Sequence, residues 1–157
     1  MTDLANKRAA VLDKPAFAFS TTDLDGHPVN LSDFASKIVV LDFWYRSCPW
    51  CMYAMPQVKQ LADDFKDKGV VVLGMNTDTD EKDARFVIDA QQLTYPTLKA
   101  AEIPDKFSVE AFPTLIVIDQ SGVIRAYDDM YSPTLRADIG AVIQGLLDHP
   151  PQPAPAP

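Results

Sequence analysis

Between Pro15 and about Asp148 the chain alternates two patterns: runs that are apolar almost throughout, and runs in which apolar residues recur every three or four positions. The first pattern suits strands buried on both faces of a sheet, and the second suits helices with one face inward. Residues 38–44 (IVVLDFW) and 70–75 (VVVLGM) are of the first kind. Residues 51–68 are of the second, with Met52, Met55, Val58, Leu61, Ala62 and Phe65 at helical spacing. Pro56 falls inside this run and predicts a kink, because it removes a backbone donor and crowds the preceding turn. Residues 81–92 predict a further helix with Ala84, Val87 and Ile88 near one face. Segments 17–22 and 28–31 flank the turn dipeptide Asp25-Gly26, and segments 115–118 and 123–127 flank Gln120-Ser121-Gly122, which predicts two hairpins. Ser132 before Pro133 predicts the cap and first position of a last helix ending near Leu147. Buried runs joined by helical crossovers and closed by a hairpin predict an α/β domain with a central mixed sheet.

Composition adds boundaries to this picture. The 157 residues suffice for one domain with a sizeable core. That domain is expected over 15–148, with an N-terminal extension over 1–14 and a Pro/Ala-rich tail or linker over 149–157, where HPPQPAPAP cannot pack a core. The apolar share of 47% with 23% charged residues is that of a soluble globular chain. No apolar run approaches the roughly 20 residues that span a bilayer. The first residues, MTDLANKRAAVLDKP, lack the apolar core of a secretory leader, as in a cytoplasmic protein or one whose leader or preceding domain has been removed. A net charge of −8 argues against nucleic acid or an anionic membrane as the main partner.

The chemistry concentrates in residues 42–56, DFWYRSCPWCMYAMP, which hold both cysteines of the chain, Cys48 and Cys51. Two cysteines are too few for a disulfide scaffold, and a disulfide closing so short a loop removes little chain entropy. A structural zinc site wants four Cys or His ligands, whereas His27 and His149 lie far apart in sequence, so no metal is expected. Covalent haem attachment needs a His after the second Cys, and Met52 is there. Reversible thiol–disulfide exchange fits best. Between a buried strand and an amphipathic helix, Cys48 falls at the helix N-terminus, where free N–H groups and the helix dipole stabilise a thiolate. Cys48 is then the attacking thiol and Cys51, three residues on, the resolving one. Pro49 suits the first turn, where its missing N–H costs nothing. The alternative is two ordinary buried thiols.

Asp42 is the lone charge in its strand, and burial would raise its pKa towards neutrality, unless it is a partly solvated strand-end residue. Trp50, between the thiols, offers a flat apolar ring that could dock an extended protein substrate or simply fold onto the surface. Arg46 reads equally as a thiolate-stabilising cation or a solvated one. The acidic cluster 78–81 reads as a helix N-terminus rather than a cation site, and Met52, Met55 and Met75 as core filling.

These residues resemble the thioredoxin superfamily: a strand ending in Asp42-Phe43-Trp44, the Cys48–Cys51 pair, and Pro56 five residues after the second Cys. Phe112-Pro113-Thr114, before the apolar run 115–119, is similar to that family's cis-proline segment. The opening hairpin and the extra segment 80–110 are similar to its TlpA/ResA-like, redoxin-type branch. The resemblance implies a thioredoxin-like fold with an N-terminal hairpin and an inserted αβ segment. It implies a protein thiol–disulfide oxidoreductase that needs no organic cofactor or metal and works on protein thiols and disulfides with a redox partner protein, as a monomer. It also implies that Asp42 accepts the proton of Cys51, and that Phe112 and Pro113, with Pro49 and Trp50, position the substrate. Such proteins are mostly extracytoplasmic, in the bacterial periplasm or cell envelope, and serve cytochrome c maturation or disulfide repair. Three departures are Ser47 where a Trp is common, Ala54 where many members carry Glu, and the Pro49-Trp50 dipeptide. Buried Asp42 and a dipeptide without His point to a reductase. Oxidising or isomerising exchange is the alternative direction. Peroxide reduction is a further alternative, but peroxiredoxins place Thr three residues before the peroxidatic Cys, and Tyr45 stands there for Cys48.

Overall fold

The computed structural model describes residues 3–152. The last five residues of the expected Pro/Ala-rich tail lie outside that range. The elements in chain order are α1 (Asp3–Val11), β1 (Ser20–Thr22), β2 (Pro28–Asn30), β3 (Ile38–Trp44), α2 (Pro49–Asp64), β4 (Val70–Asn76), α3 (Glu81–Gln91), β5 (Thr97–Lys99), β6 (Thr114–Ile118), β7 (Ile124–Asp129) and α4 (Leu135–Asp148). Short 3-10 turns cover Leu31–Phe34 and Pro104–Phe107.

Five strands form the central sheet in the order β5-β4-β3-β6-β7. β3 runs parallel to β4, and β4 to β5, while β6 and β7 are antiparallel additions. All seven residues of β3 are buried, as expected for the middle strand of a sheet covered on both faces. The alternation of side chains divides them between two cores. Val39, Leu41 and Phe43 join Phe19, Leu73, Met75, Leu98 and Phe107 on one face. Ile38 and Val40 join Leu115, Val117, Val58 and Leu61 of α2, and Leu135, Ile139 and Ile143 of α4 on the other. A third cluster on the helix-covered face holds Trp44, Cys48, Cys51 and Met55 with Ala84 and Val87 of α3. Each such fully buried side chain contributes about 1.5–3 kcal/mol of transfer free energy.

The opening hairpin forms as a separate two-stranded sheet, β1 against β2. Gly26 supplies its left-handed turn position at φ +86°, and Asp23 closes the turn by accepting from the backbone N–H groups of Asp25 and His27, each at 2.9 Å. The αβ insertion consists of α3, β5 and the 104–107 turn. β5 and α1 have no counterpart in the sequence reading. At three residues β5 shows no usable alternation, and α1 is a polar helix whose last residue, Val11, packs on the core with Leu12 just after it.

The last helix begins later than the Ser132-Pro133 signal predicts. α4 starts at Leu135, with Thr134 at its cap position. The Ser132 hydroxyl accepts from the Thr134 N–H at 3.1 Å and its carbonyl from Leu135 N–H at 3.2 Å. Ser132 therefore closes a turn ahead of the helix rather than capping it. Helix α2 begins at Pro49, two residues before the apolar periodicity, and continues through Pro56 to Asp64.

Candidate active site

The site lies where β3 leaves the sheet and α2 begins. Cys48 is the N-cap residue of α2, in extended backbone conformation, and Pro49 occupies the first helical position. Cys48 and Cys51 are joined as a disulfide with their Cα atoms 5.3 Å apart. The Cys51 N–H donates to Cys48 Sγ at 3.2 Å. The first sulfur thus takes the place of the side-chain oxygen that usually caps a helix, and in the reduced form the same N–H favours a Cys48 thiolate. Both residues are buried, Cys51 at 1% exposure and Cys48 at 3%.

The Phe112–Pro113 peptide bond is cis. Pro113 is buried, and its carbonyl accepts from the Met130 N–H at 2.8 Å, which ties this segment to the end of β7. Phe112 is half-buried and packs edge-on against Tyr45, ring centroids 5.3 Å apart. Trp50 is 57% exposed. Its ring stacks on Tyr131 (5.6 Å, 21°) and meets Tyr53 at 5.8 Å. Tyr53 follows Trp50 at i+3, a spacing visible in the sequence. Tyr131 comes from the far side of the sheet's last strand, and no local pattern announces it.

Asp42 sits one turn of the pleat below Trp44, on the helix-covered face. Its cross-strand neighbours are Gly74 and Leu115, neither charged. It is 2% exposed, and its Oδ1 has no hydrogen-bond partner among the described residues. Burial alone raises its pKa from 3.8 to about 7. Such a carboxyl can hold or release a proton near neutral pH. Ala54 is buried against the same face.

Arg46 is engaged elsewhere. Its guanidinium pairs with Asp83 at 3.0 Å and lies 3.9 Å over the Phe86 ring. The acidic cluster likewise has structural partners: Asp80 caps α3 by accepting from Lys82 N–H, Asp78 accepts from the Arg46 N–H, and Glu81 pairs with Lys99. Asp23, Asp25 and His27 could bring three ligand atoms together, but the Asp23 carboxylate already accepts from two backbone N–H groups in the hairpin turn. Among the described residues no helix is long and apolar enough to cross a membrane.

This fold and site have many relatives. The AhpC/TSA family model matches residues 12–127. The thiol-disulfide oxidoreductase ResA of Bacillus cereus is 31% identical over 122 residues, covering 76% of this chain and 70% of that protein. The protein of the same name from Halalkalibacterium halodurans is 29% identical over 122 residues, covering 76% and 69%. Among solved structures, the thioredoxin domain of a thiol-disulfide oxidoreductase from Bacteroides vulgatus superposes with a TM-score of 0.76 at 27% identity, covering 85% of this chain and 98% of that one. A thiol:disulfide interchange protein from Bacteroides sp. superposes with a TM-score of 0.76 at 25% identity, covering 90% and 93%. Strand, cysteine pair and helix in this arrangement, matched over most of the chain, mean that the protein belongs to the AhpC/TSA family and is a thioredoxin-like thiol-disulfide oxidoreductase.

Proposed function

We propose that the protein reduces disulfides of protein substrates, with Cys48 as attacking thiolate, Cys51 as resolving thiol and Asp42 as acceptor of the Cys51 proton. The Cys48 thiolate attacks one sulfur of the substrate disulfide and displaces the other as a thiolate, leaving a mixed disulfide. Cys51 then gives its proton to Asp42 and attacks Cys48 Sγ. The Cys48–Cys51 disulfide forms and the second substrate thiolate leaves. Two electrons pass to the substrate, and a redox partner protein returns them.

The observation that carries the direction is Asp42, buried with its Oδ1 unpartnered in the strand that leads to the cysteine pair. A negative charge there opposes a thiolate, and Arg46, bound to Asp83 and Phe86, is not free to offset it. Strong oxidants owe their potential to a stabilised reduced form. A pair whose thiolate has the helix N–H but no nearby cation, and a buried carboxyl in the strand before it, favours the disulfide more and donates electrons. Pro49, Trp50, Phe112 and Pro113 receive the substrate in this reading, and the exposed rings of Trp50 and Tyr53 support docking of an extended apolar segment. The TlpA/ResA-like resemblance supports a monomer in an extracytoplasmic setting, serving cytochrome c maturation or disulfide repair.

Titration of the Cys48–Cys51 pair against glutathione or dithiothreitol tests the direction. A potential near the roughly −270 mV of thioredoxin is expected; one near about −120 mV reverses the direction. The AhpC/TSA match favours a second reading, peroxide reduction. Against it, Tyr45 stands three residues before Cys48 and its ring is packed on Phe112. Oxidation of the reduced pair by hydrogen peroxide faster than that of a free thiol would favour the second reading.

A further inference from the structure

Three aromatic rings meet beside the cysteine pair, and each lies against the other two. Trp50 and Tyr53 stand at i and i+3 on α2, and Tyr131 reaches them from the segment after β7. The ring centroids of Trp50 and Tyr131 are 5.6 Å apart, those of Trp50 and Tyr53 5.8 Å, and those of Tyr53 and Tyr131 6.2 Å. Trp50 and Tyr53 are both more exposed than buried. The group is held in place from behind. Gln57, one turn after Tyr53, donates from Nε2 to the Ser132 carbonyl at 3.1 Å and accepts the Arg136 N–H on Oε1 at 2.9 Å. Arg136 also forks onto the Asp64 carboxylate through Nε and Nη2, at 2.8 and 2.7 Å. The segment that carries Tyr131 is thus tied to the same helix as Trp50 and Tyr53. Rings fixed before binding lose little freedom when a partner arrives.

The unpaired charge around these rings has one sign. Asp128 and Asp129 end β7, just before Met130 and Tyr131. Asp129 lies in register with Thr114, the residue after cis-Pro113, and Asp128 with Leu115. Asp138, in the first turn of α4, accepts from the Thr134 hydroxyl at 2.8 Å. Thr134 Oγ1 is in turn 3.0 Å from the hydroxyl of Ser132, next to Tyr131. Burial, and after it the charges of Asp138 and Asp129, hold the Asp128 carboxyl above its ordinary pKa, with Arg8 opposing. Among the described residues none of these three carboxylates has an ion-pair partner. Arg46 and Arg136 are taken up by Asp83 and Asp64.

Electron-rich ring faces and uncompensated carboxylates attract the same kind of group, a cation. A lysine or arginine can lay its apolar stem on the rings and turn its charged head towards the carboxylates. An acidic segment would be repelled, and a purely apolar one would leave the charges unanswered. We propose that Trp50, Tyr53 and Tyr131 receive a basic side chain of the substrate protein, close in sequence to the cysteine that Cys48 attacks, and so select disulfides flanked by lysine or arginine. Gln57 is a positioning residue that holds Tyr131 against Trp50, and Asp128, Asp129 and Asp138 steer the cation. The proposal rests on the reading given above that the exposed rings beside the cysteine pair receive the substrate.

The test uses the reduced full chain and four peptides, each with one cysteine in a mixed disulfide with thionitrobenzoate. The peptides are alike except that Arg, Gln, Leu or Glu flanks the cysteine. Attack of the Cys48 thiolate on the peptide sulfur forms the Cys48–peptide disulfide and releases coloured thionitrobenzoate, whichever way the pair works in the cell. Each rate is divided by that of the same peptide with dithiothreitol, which removes differences in intrinsic reactivity. The Arg peptide should react about threefold to tenfold faster than the Gln peptide at low salt, as for one cation–π contact with neighbouring charge. The Glu peptide should be slowest, and high salt should shrink the differences. Tyr131→Leu and Gln57→Leu should each lower the Arg-to-Gln ratio, and Tyr131→Phe should keep it. Asp128→Asn/Asp129→Asn/Asp138→Asn should lower the ratio and flatten its salt dependence. A ratio taken on one preparation does not move with the folded fraction, so a merely structural role of Gln57 or Tyr131 would leave it unchanged. Equal rates for the Arg and Gln peptides overturn the proposal, as does a preference for the Leu peptide, which gives the rings to an apolar segment. A ratio unchanged in Tyr131→Leu also overturns it. Trp50→Ala distinguishes the two levels: slowing of all four peptides alike removes the basic preference and keeps docking at the rings, whereas four unchanged rates remove both.

Discussion

Two aspartates are buried in this sheet, one at each end, and their surroundings make opposite groups of them. Asp119 follows β6 at the end remote from the cysteines and is 1% exposed. Its burial is outweighed by donors: the N–H of Ser121 at 2.9 Å, its hydroxyl at 2.6 Å, the N–H of Val123 at 3.0 Å and the Arg125 guanidinium at 2.8 Å. These bonds hold its pKa below the usual carboxylate value. Asp42 is about as little exposed but lies much deeper in the protein; its Oδ1 has no donor and its pKa is raised to about 7. Exclusion from solvent alone therefore does not predict the charge of a carboxyl. Depth and donors decide together: the chain supplies four donors at one site and keeps that carboxyl ionised, and at the other withholds them deep in the sheet and raises the pKa to about 7.

Several substitutions separate the two. Asp42→Asn should have the largest effect. In a single-turnover assay it should slow resolution of the mixed disulfide by about 100-fold, the lower range for loss of a general base; an unchanged rate removes the proposed role. The same change should stabilise the fold. Between pH 4 and 7 the native state holds a proton on Asp42 that the unfolded chain has lost, so stability falls as pH rises through this window. A rise from 3.8 to about 7, at about 1.4 kcal/mol per unit, sets the gain in Asp42→Asn at no more than about 4 kcal/mol at pH 8. Urea melts of both proteins at pH 5 and pH 8 should diverge at both and by clearly more at the higher pH.

Asp119→Ala should do the reverse: cost about 2–3 kcal/mol in denaturant melts at pH 7 and leave disulfide exchange intact. Because its folded pKa is lowered, the Asp119 contribution is present above about pH 4 and lost as pH falls further. A slope of the same sign for both aspartates would break the comparison. Gly74→Ala should cost about 1–3 kcal/mol by overpacking, as Trp44, Thr97 or Tyr95 gives way. The smallest effect is expected for Trp50→Ala: a KM for a protein disulfide raised about threefold to tenfold, as for loss of one aromatic contact of about 0.5–1.5 kcal/mol, with no change in Tm.

Much of this molecule is readable from local pattern. β3 runs over 38–44 as its apolar run predicts, because a central strand needs no partner-specific signal beyond continuous hydrophobicity. The hairpin turns at Gly26 and Gly122 follow from residues that accept positive φ. Cys48 and Cys51 announce their chemistry by spacing and context. Less is readable where partners lie far apart in sequence. β5 forms because β4 offers it an edge, and its three residues carry too short a pattern to signal a strand. Ser132 carries the signature of a cap, yet the chain turns once more before α4, since packing of Leu135 and Ile139 on the sheet sets where that helix can start. Tyr131 joins Trp50 only through the path of β7.

The sequence by itself determined the redox pair, the strand that delivers it and the helix that caps it, since each depends on residues within one or two turns of one another. It also marked Asp42 as unusual, a single charge in an apolar run. What the tertiary structure alone decided is the state of that charge. Gly74 from β4, Leu115 from β6 and Tyr95 and Thr97 from the insertion surround Asp42 and leave its Oδ1 without a donor, while Asp119 draws its donors from the turn that follows it. A pKa is the sum of desolvation and of every dipole within reach, and for Asp42 those contributions come from strands that only folding brings side by side.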